Sequence, residues 1–291
     1  MTARITRPCV LVFAGHDPSG GAGIQADIEA ITAQGAHALT IITALTVQDN
    51  NQVRAVYPVD THILRDQFET LLAQVPIAAV KVGIVGSLEN AECIAECVAR
   101  LRVLSPRLPV AVDTVLGSGR GNALAIHDAV QAVQPVLACA SLLTPNLPEL
   151  GRLTEHFSEQ LSEHMTENGQ SAPNATDELR ARYLAEKFAC DVLLKGGHGS
   201  GSEVHNRWIA WDAETRSVHA TQSWSWLRQE GEFHGSGCTL AAAIAAQLAL
   251  GHAPETSLIN AQAYVQACLE SAYQIAPGQF IPSRFEHKDK R

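Results

Sequence analysis

Short apolar runs alternating with longer amphipathic segments constrain this chain more than any other feature. PCVLVFAG, HALTIITALTV, IAAVKVGIVG, PVAVDTV and SLLTPN are rich in Val, Ile and Thr and bounded by turn residues. They read as strands buried on both faces. Between them, GIQADIEAITAQG places Ile24, Ile28 and Ile31 on one helical face and closes on Gly35 as the residue after the C-cap. DTHILRDQFETLLAQV and SLENAECIAECVARL behave alike, opened by Asp60 and Ser87 as caps. Asn146-Leu147-Pro148-Glu149 has the composition of a helix start, with Asn146 as N-cap and Glu149 at the third position. This β-α rhythm predicts an α/β fold, a mainly parallel sheet covered by helices on both faces.

Beyond Phe157 the chain turns polar (SEQLSEHMTENGQSAPNATDE), and the rhythm then resumes with ELRARYLAEKFA and DVLLKGGH. The spacing predicts a surface loop or frayed helix over 158–176 inside one domain, rather than a linker between two. EVHNRWIAWD and SVHATQSWSW alternate as a β-hairpin around Ala213-Glu214. Helices are predicted over Gly235 to Leu250 and roughly Glu255 to Ala276. The expected unit is a single domain over 1–291, with its core at about 8–275 and a tail over 277–291.

Composition narrows the partners. The 291 residues are 46% hydrophobic and 18% charged, which excludes a disordered chain. Twenty-one basic residues against thirty acidic ones leave a net charge of −9. That balance is a poor match to nucleic acid or to an anionic membrane. The N-terminal MTARITRPCVLVFAG has too short an apolar stretch for a secretory signal, and CTLAAAIAAQLAL is too short to span a bilayer. Seven scattered cysteines fit reduced thiols and a cytoplasmic location. Cys93 and Cys97 lie on one helix face without a second ligand pair, so packing is the expected role.

Glycine-bearing turns follow three strands: GHDPSGGAG, GSGRG and HGSGC. A Walker loop is excluded, because Gly-Lys occurs nowhere in the chain. Gly21-Ala22-Gly23-Ile24-Gln25-Ala26 matches G-x-G-x-x-A, but five residues separate it from the preceding strand and no acidic residue ends the second strand at the dinucleotide spacing. HGSGCTLAAAIA is more specific. Gly235, Ser236 and Gly237 open an apolar helix, so unpaired N–H groups and the positive dipole end form an anion site. The same field favours the thiolate of Cys238 in the first turn. From spacing alone, a reactive and a merely packed Cys238 stand equal.

Asp113 ends PVAVD, and Asn146 and Glu149 follow SLLTPN. Oxygen ligands beyond the carboxyl ends of parallel strands suit Mg²⁺ carrying phosphates. A plain capping box explains Asn146 and Glu149 as well. Lys195 ends a strand beside Gly196 and Gly197, which leave room for a nucleotide.

Taken in order, AGHDPSGGAGIQAD, ITALTVQ, VKVGIVGS, LLTPNLPE, LLKGGHG and HGSGCTLAAAIA resemble the hydroxymethylpyrimidine and phosphomethylpyrimidine kinases of thiamine biosynthesis. These are ribokinase-like α/β/α sandwiches, and the resemblance spans about residues 8 to 275. It implies MgATP-dependent phosphorylation of 4-amino-5-hydroxymethyl-2-methylpyrimidine and then of its monophosphate. It implies Gln48, Asp27 and Gly15 at the pyrimidine and Gly235 to Gly237 as the anion hole, with Cys238 as catalytic base. Asp113 and Glu149 would serve Mg²⁺, and Lys195 and Asn146 the nucleotide and its phosphates. The chain departs from the family where GSGRGNAL replaces a Lys-Ser-Gly-Asp segment, leaving Arg120 as the cation of that loop. It also has Ser236 where Thr is common, and His16 where Thr is frequent. No thiamine-phosphate synthase region is expected, and a homodimer is implied by resemblance alone. The rival readings are a pyridoxal kinase, a nicotinamide-dinucleotide oxidoreductase built on GAGIQA, and a pyrimidine-sensing module derived from a kinase.

Overall fold

The computed structural model describes residues 6–117, 129–167 and 176–285. Its centre is a nine-stranded sheet in the order β3-β2-β1-β4-β5-β6-β7-β8-β9. The strands are β1 (Cys9–His16), β2 (His37–Gln48), β3 (Val53–Pro58), β4 (Ile77–Val82), β5 (Val110–Val112), β6 (Leu142–Leu143), β7 (Asp191–Leu194), β8 (Glu203–Asp212) and β9 (Ser217–Leu227). From β2 to β7 the pairing is parallel. The expected hairpin adds β8 and β9 antiparallel at one edge, and β3 turns back on β2 at the other. The strand at 53–58 has no counterpart in the sequence reading, because the antiparallel return of a short, half-exposed segment carries little apolar signal.

The continuous apolar run in β1 has a direct cause. Leu11 and Phe13 pack on one face with Leu64 and Phe68 of α2 (Thr61–Leu72) and with α3 (Leu88–Leu104). Val10 and Val12 pack on the other with α1 (Gly23–Ala33). The first layer is completed by α4 (Ala129–Leu137), α5 (Leu147–His156), α6 (Ser158–Glu167) and α7 (Asp177–Phe188). The second holds α8 (Ser236–Ala249) and α9 (Pro254–Glu270). The fold is thus the expected three-layer α/β/α arrangement around a mostly parallel sheet.

Two local expectations change and one is narrowed. Residues 158–167, expected as a surface loop or frayed helix, form the helix α6, with Leu161 buried against the core, while 168–175 fall outside the described residues. In α1, Ile28 faces outward at 37% exposure, and Ala26 and Ala30 join Ile24 and Ile31 on the buried face. The last helix stops at Glu270, and 277–285 is no tail. Ile281 is buried, and Phe280 and Ile281 pair with Glu232 and Tyr273 through backbone hydrogen bonds.

Arg284 is the largest fully buried side chain. Its guanidinium donates to the Gly21 carbonyl, to Thr239 Oγ1 at 2.8 Å and to Glu29 at 3.2 Å. One cation near the C-terminus therefore ties the first glycine turn to α8. Arg284→Ala would leave a carboxylate and a carbonyl short of their donors in the interior. It is expected to destabilise the fold by about 3 kcal/mol, read as a lowered urea midpoint.

Candidate active site

The carboxyl ends of the parallel strands open into one cleft of about 790 Å³. Ala14 and Gly15 from β1, Gln48 from β2, Lys81 and Gly83 from β4, Asp113 after β5, Asn146 after β6 and Lys195 after β7 line it. Gly235, Ser236, Gly237 and Cys238 at the start of α8 close its centre. Of the twelve residues expected at the site, ten line this cleft. Asp27 does not, and Arg120 lies outside the described residues.

The start of α8 is built to leave donors free. Gly235 takes φ +79° as N-cap, no side chain caps the helix, and no acidic residue occupies the first turn. By contrast Ser87, Asn146 and Thr176 cap α3, α5 and α7 with side-chain acceptors. Unspent N–H groups and the dipole of a 14-residue helix therefore face the cleft.

Gly235 cannot carry a side chain, because a Cβ there would overlap the Gly21 carbonyl oxygen. The two glycine turns touch backbone to backbone. Asp17 fastens them: its carboxylate accepts from the Ser19 and Ala22 amides, both at 2.8 Å, from Ser19 Oγ at 2.9 Å, and from His234 Nε2 at 2.7 Å. Burial opposes ionisation of Asp17, but His234 and these donors win and hold its carboxyl below the ordinary value. The GAGIQA segment thus packs against residues 234–235 and Arg284 and offers no open pyrophosphate turn, which removes the support for a dinucleotide reading.

On the β6–β7 side of the cleft, Lys195 Nζ lies 3.0 Å from Asp113 Oδ1 and 3.8 Å from Glu149 Oε2. Burial works against the Asp113 charge, yet Lys195 and Lys81 hold its carboxyl below the usual range. Burial pushes Glu149 up, and Asp113 adds to that. The capping box is real: Asn146 Oδ1 accepts from the Glu149 amide and Glu149 Oε2 from the Asn146 amide, both at 2.8 Å. The capping and cleft-lining readings of Asn146 and Glu149 are therefore both met.

Two expectations are corrected. Asp27 is not among the residues that line the cleft; it pairs with Lys81 at 2.8 Å, and of these two equally buried side chains it is Lys81 that lines it. A lysine inside the apolar run IAAVKVGIVG was the signal for this residue. The Cys238 thiol is also not depressed toward thiolate. Burial pushes it up to about 12, with Lys81 pulling down and Asp113 and Asp27 pushing up. The helix terminus alone fixes the field only in an exposed setting; here two buried carboxylates oppose it.

Other contributors escaped the sequence reading because they come from remote elements. Arg228 donates to the Gly197 and Gly201 carbonyls, both at 2.7 Å, and shapes the glycine loop after β7. Trp226, Gln262 and Leu269 line the far wall, with Gln262 Oε1 accepting from Trp226 Nε1 at 3.0 Å.

This arrangement of glycine turns, lysines and carboxylates has a counterpart among known proteins. The family model for phosphomethylpyrimidine kinase matches residues 17–282. The chain belongs to the phosphomethylpyrimidine kinase family. It is 31% identical over 283 residues to the hydroxymethylpyrimidine/phosphomethylpyrimidine kinase of Streptomyces coelicolor, covering 95% of this chain and 94% of that protein. It is 30% identical to the thiamine biosynthesis multifunctional protein of Corynebacterium efficiens, matching 94% of this chain but spanning about a third (34%) of that protein's length. The fold of this phosphomethylpyrimidine kinase relative is shared with Bacillus subtilis pyridoxal kinase, solved as an ADP complex. That match has a TM-score of 0.78 at 22% identity and covers 96% of this chain and 98% of the other.

The Asp17 carboxyl sits below its unfolded-state value, so its contribution to stability is present above about pH 4 and disappears as pH falls through the folded value. Asp17→Asn is therefore expected to lower stability at neutral pH and to flatten the stability curve as pH falls below about 4. Urea melts across that range check it.

Proposed function

We propose that the chain transfers the terminal phosphoryl group of ATP to 4-amino-5-hydroxymethyl-2-methylpyrimidine and then to the monophosphate so formed. The observation that carries this reading is the uncapped N-terminus of α8, which enters the cleft together with the ends of β1, β2 and β4 and with Asn146 and Lys195 after β6 and β7. Gly15, Gly83 and Gln48 line the β1–β2–β4 side. The Gln48 side chain makes no hydrogen bond to another described residue, and its amide offers a donor and an acceptor together, which suits a ring nitrogen beside an exocyclic amine. Pyridoxal-type acceptors are the rival, and no observation favours them.

Phosphoryl transfer asks the protein for in-line positioning and for charge compensation on the equatorial oxygens. The N–H groups of Gly235 to Cys238 supply fixed dipoles that need no reorganisation. Lys195 faces the nucleotide phosphates. Among the described residues no three His, Cys, Asp or Glu side chains form a metal cluster. Asp113 and Glu149 suit Mg²⁺, which takes one or two protein carboxylates and completes its shell with phosphate oxygens and water. Mg²⁺ there would neutralise phosphate charge. The buried groups agree: Asp113 and Glu149 both lie against Lys195, two carboxylates to one ammonium, a local surplus that a cation offsets.

Cys238 stands at the α8 terminus where the acceptor oxygen would lie. In the free protein its thiol keeps its proton at neutral pH, so base action requires that proton to leave before attack, with Lys81 beside it favouring the loss. A homodimer belongs to the same proposal: Leu45, Val47 and Tyr57 stand exposed on paired β2 and β3, with Leu45 opposite Tyr57, an apolar surface of the kind interfaces cover. Among the described residues no helix is long and apolar enough to cross a membrane, and a cytoplasmic setting is proposed with the biosynthetic role.

Coupled ATP-consumption assays with hydroxymethylpyrimidine, its monophosphate and pyridoxal test the reading; turnover with pyridoxal alone overturns it. Gln48→Ala is expected to raise the pyrimidine KM about 5- to 150-fold, and an unchanged KM removes Gln48 from the pocket's recognition set. Cys238→Ser is expected to slow the alcohol step about 10²- to 10⁴-fold and the monophosphate step far less, since that acceptor is already ionised. Full alcohol activity with reduced thermal stability would leave Cys238 as packing and the helix terminus as the catalyst.

A further inference from the structure

Lys81 is the residue whose placement the fold does not require. It lies in β4 beside Ala79 on the strand face that packs against α1 and α8, and its side chain is fully buried. Asp27 of α1 is its partner, with Oδ2 accepting one N–H at 2.9 Å and Oδ1 2.8 Å from the same nitrogen. No other side-chain acceptor among the described residues pairs with that ammonium, which has three N–H groups to give. Both Asp27 oxygens thus lie against the one ammonium, which keeps an N–H without a side-chain acceptor among the described residues.

Such a pair is a poor stabilising device. Taking two charges out of water costs more than their attraction returns, and well-packed apolar residues of similar volume usually hold a core as well or better. Lys81 lines the cleft beside the N-terminus of α8, where the Asp27 and Asp113 carboxylates keep it charged against the cost of burial. The backbone is shaped to keep the ammonium there: a Cβ on Gly83 would come within 2.8 Å of Lys81 Nζ. Lys195 flanks the same terminus from the other side, 3.3 Å from where a Gly237 Cβ would stand.

We propose that Lys81 is the second cation of the phosphoryl-transfer site, giving its free N–H to an oxygen of the transferring phosphoryl group. Lys195 lies on the nucleotide side at the end of β7 and Lys81 on the acceptor side at the end of β4, with the α8 N–H groups between them. The phosphoryl group thus passes from one lysine toward the other, and the charge on its equatorial oxygens is met throughout. Asp27 is a positioning residue: it holds the ammonium at the cleft and touches no substrate. The inference rests on the kinase reading above and assigns a role to a residue outside the anion hole.

The test replaces the pair by apolar residues, Asp27→Leu with Lys81→Met, which removes both buried charges together. The double variant is expected to melt within a few degrees of the parent, to keep its ATP KM within about threefold, and to lose about 10²-fold in kcat on both acceptors. A folded double variant with kcat within about threefold of the parent overturns the proposal and leaves the pair as core. Lys81→Gln, whose amide can hydrogen-bond the Asp27 carboxyl, is the second variant and is read by the same kcat criterion. Calorimetric titration with inorganic phosphate gives a readout independent of the acceptor. Lys81→Gln is expected to weaken phosphate binding about tenfold, and unchanged affinity overturns the proposal. If the parent protein leaves hydroxymethylpyrimidine unphosphorylated while the phosphate titration shows the expected loss, the acceptor assignment falls and the Lys81 inference stands.

Discussion

The site depends on one close approach, the backbone contact between the turn after β1 and the turn that opens α8. Gly21 and Gly235 meet with no room for a Cβ on either, and Asp17 and His234 bridge the two turns with a 2.7 Å hydrogen bond. Arg284, brought back from the end of the described chain, donates to the same Gly21 carbonyl. Because the turns are locked, the α8 N–H groups are aimed at one point in the cleft. Catalysis by fixed dipoles requires such pre-orientation, since dipoles that must turn during reaction lose much of their benefit.

The second organising feature is charge held away from water. Lys81 and Lys195 each face buried carboxylates, and burial, with the Asp113 charge adding to it, raises Glu149, Asp27 and the Cys238 thiol together. Asp27 reaches about 6 even with an ammonium beside it, because burial outweighs the pairing. The free protein thus stores an electrostatic imbalance at the place where phosphates and their counter-cation would bind. A rigid sheet makes this affordable: Val80 and Val82 anchor β4 in the core on the opposite face, so the strand cannot move to relieve its charge.

Much of the architecture was written in local pattern. Continuous apolar runs gave the parallel strands, because residues such as Val10 to Phe13 are buried on both faces and none has to be polar. Capping residues at Ser87 and Asn146 marked helix starts, since an N-cap is satisfied within three residues of itself. The uncapped, glycine-opened start of α8 was legible for the same reason. The segment over 158–167 was left between loop and frayed helix because its polar composition hides a helix that buries only a few apolar side chains, Leu161 among them.

What the sequence by itself determined was the fold class, the family, the strand ends that carry Gly15, Gln48, Asp113, Asn146 and Lys195, and the helix start that carries Cys238, each read from local pattern. Only the tertiary structure decided which of two neighbouring charges faces the cleft. Asp27 and Lys81 are 54 residues apart, and which one lies nearer the ligand follows from how α1 packs on β4. It also decided the protonation of Cys238, because a helix dipole is readable from sequence whereas burial and the carboxylates of other elements are not. The same holds for Arg284 and His234: long-range hydrogen bonds leave no periodic trace, since each depends on the folding of everything between its partners.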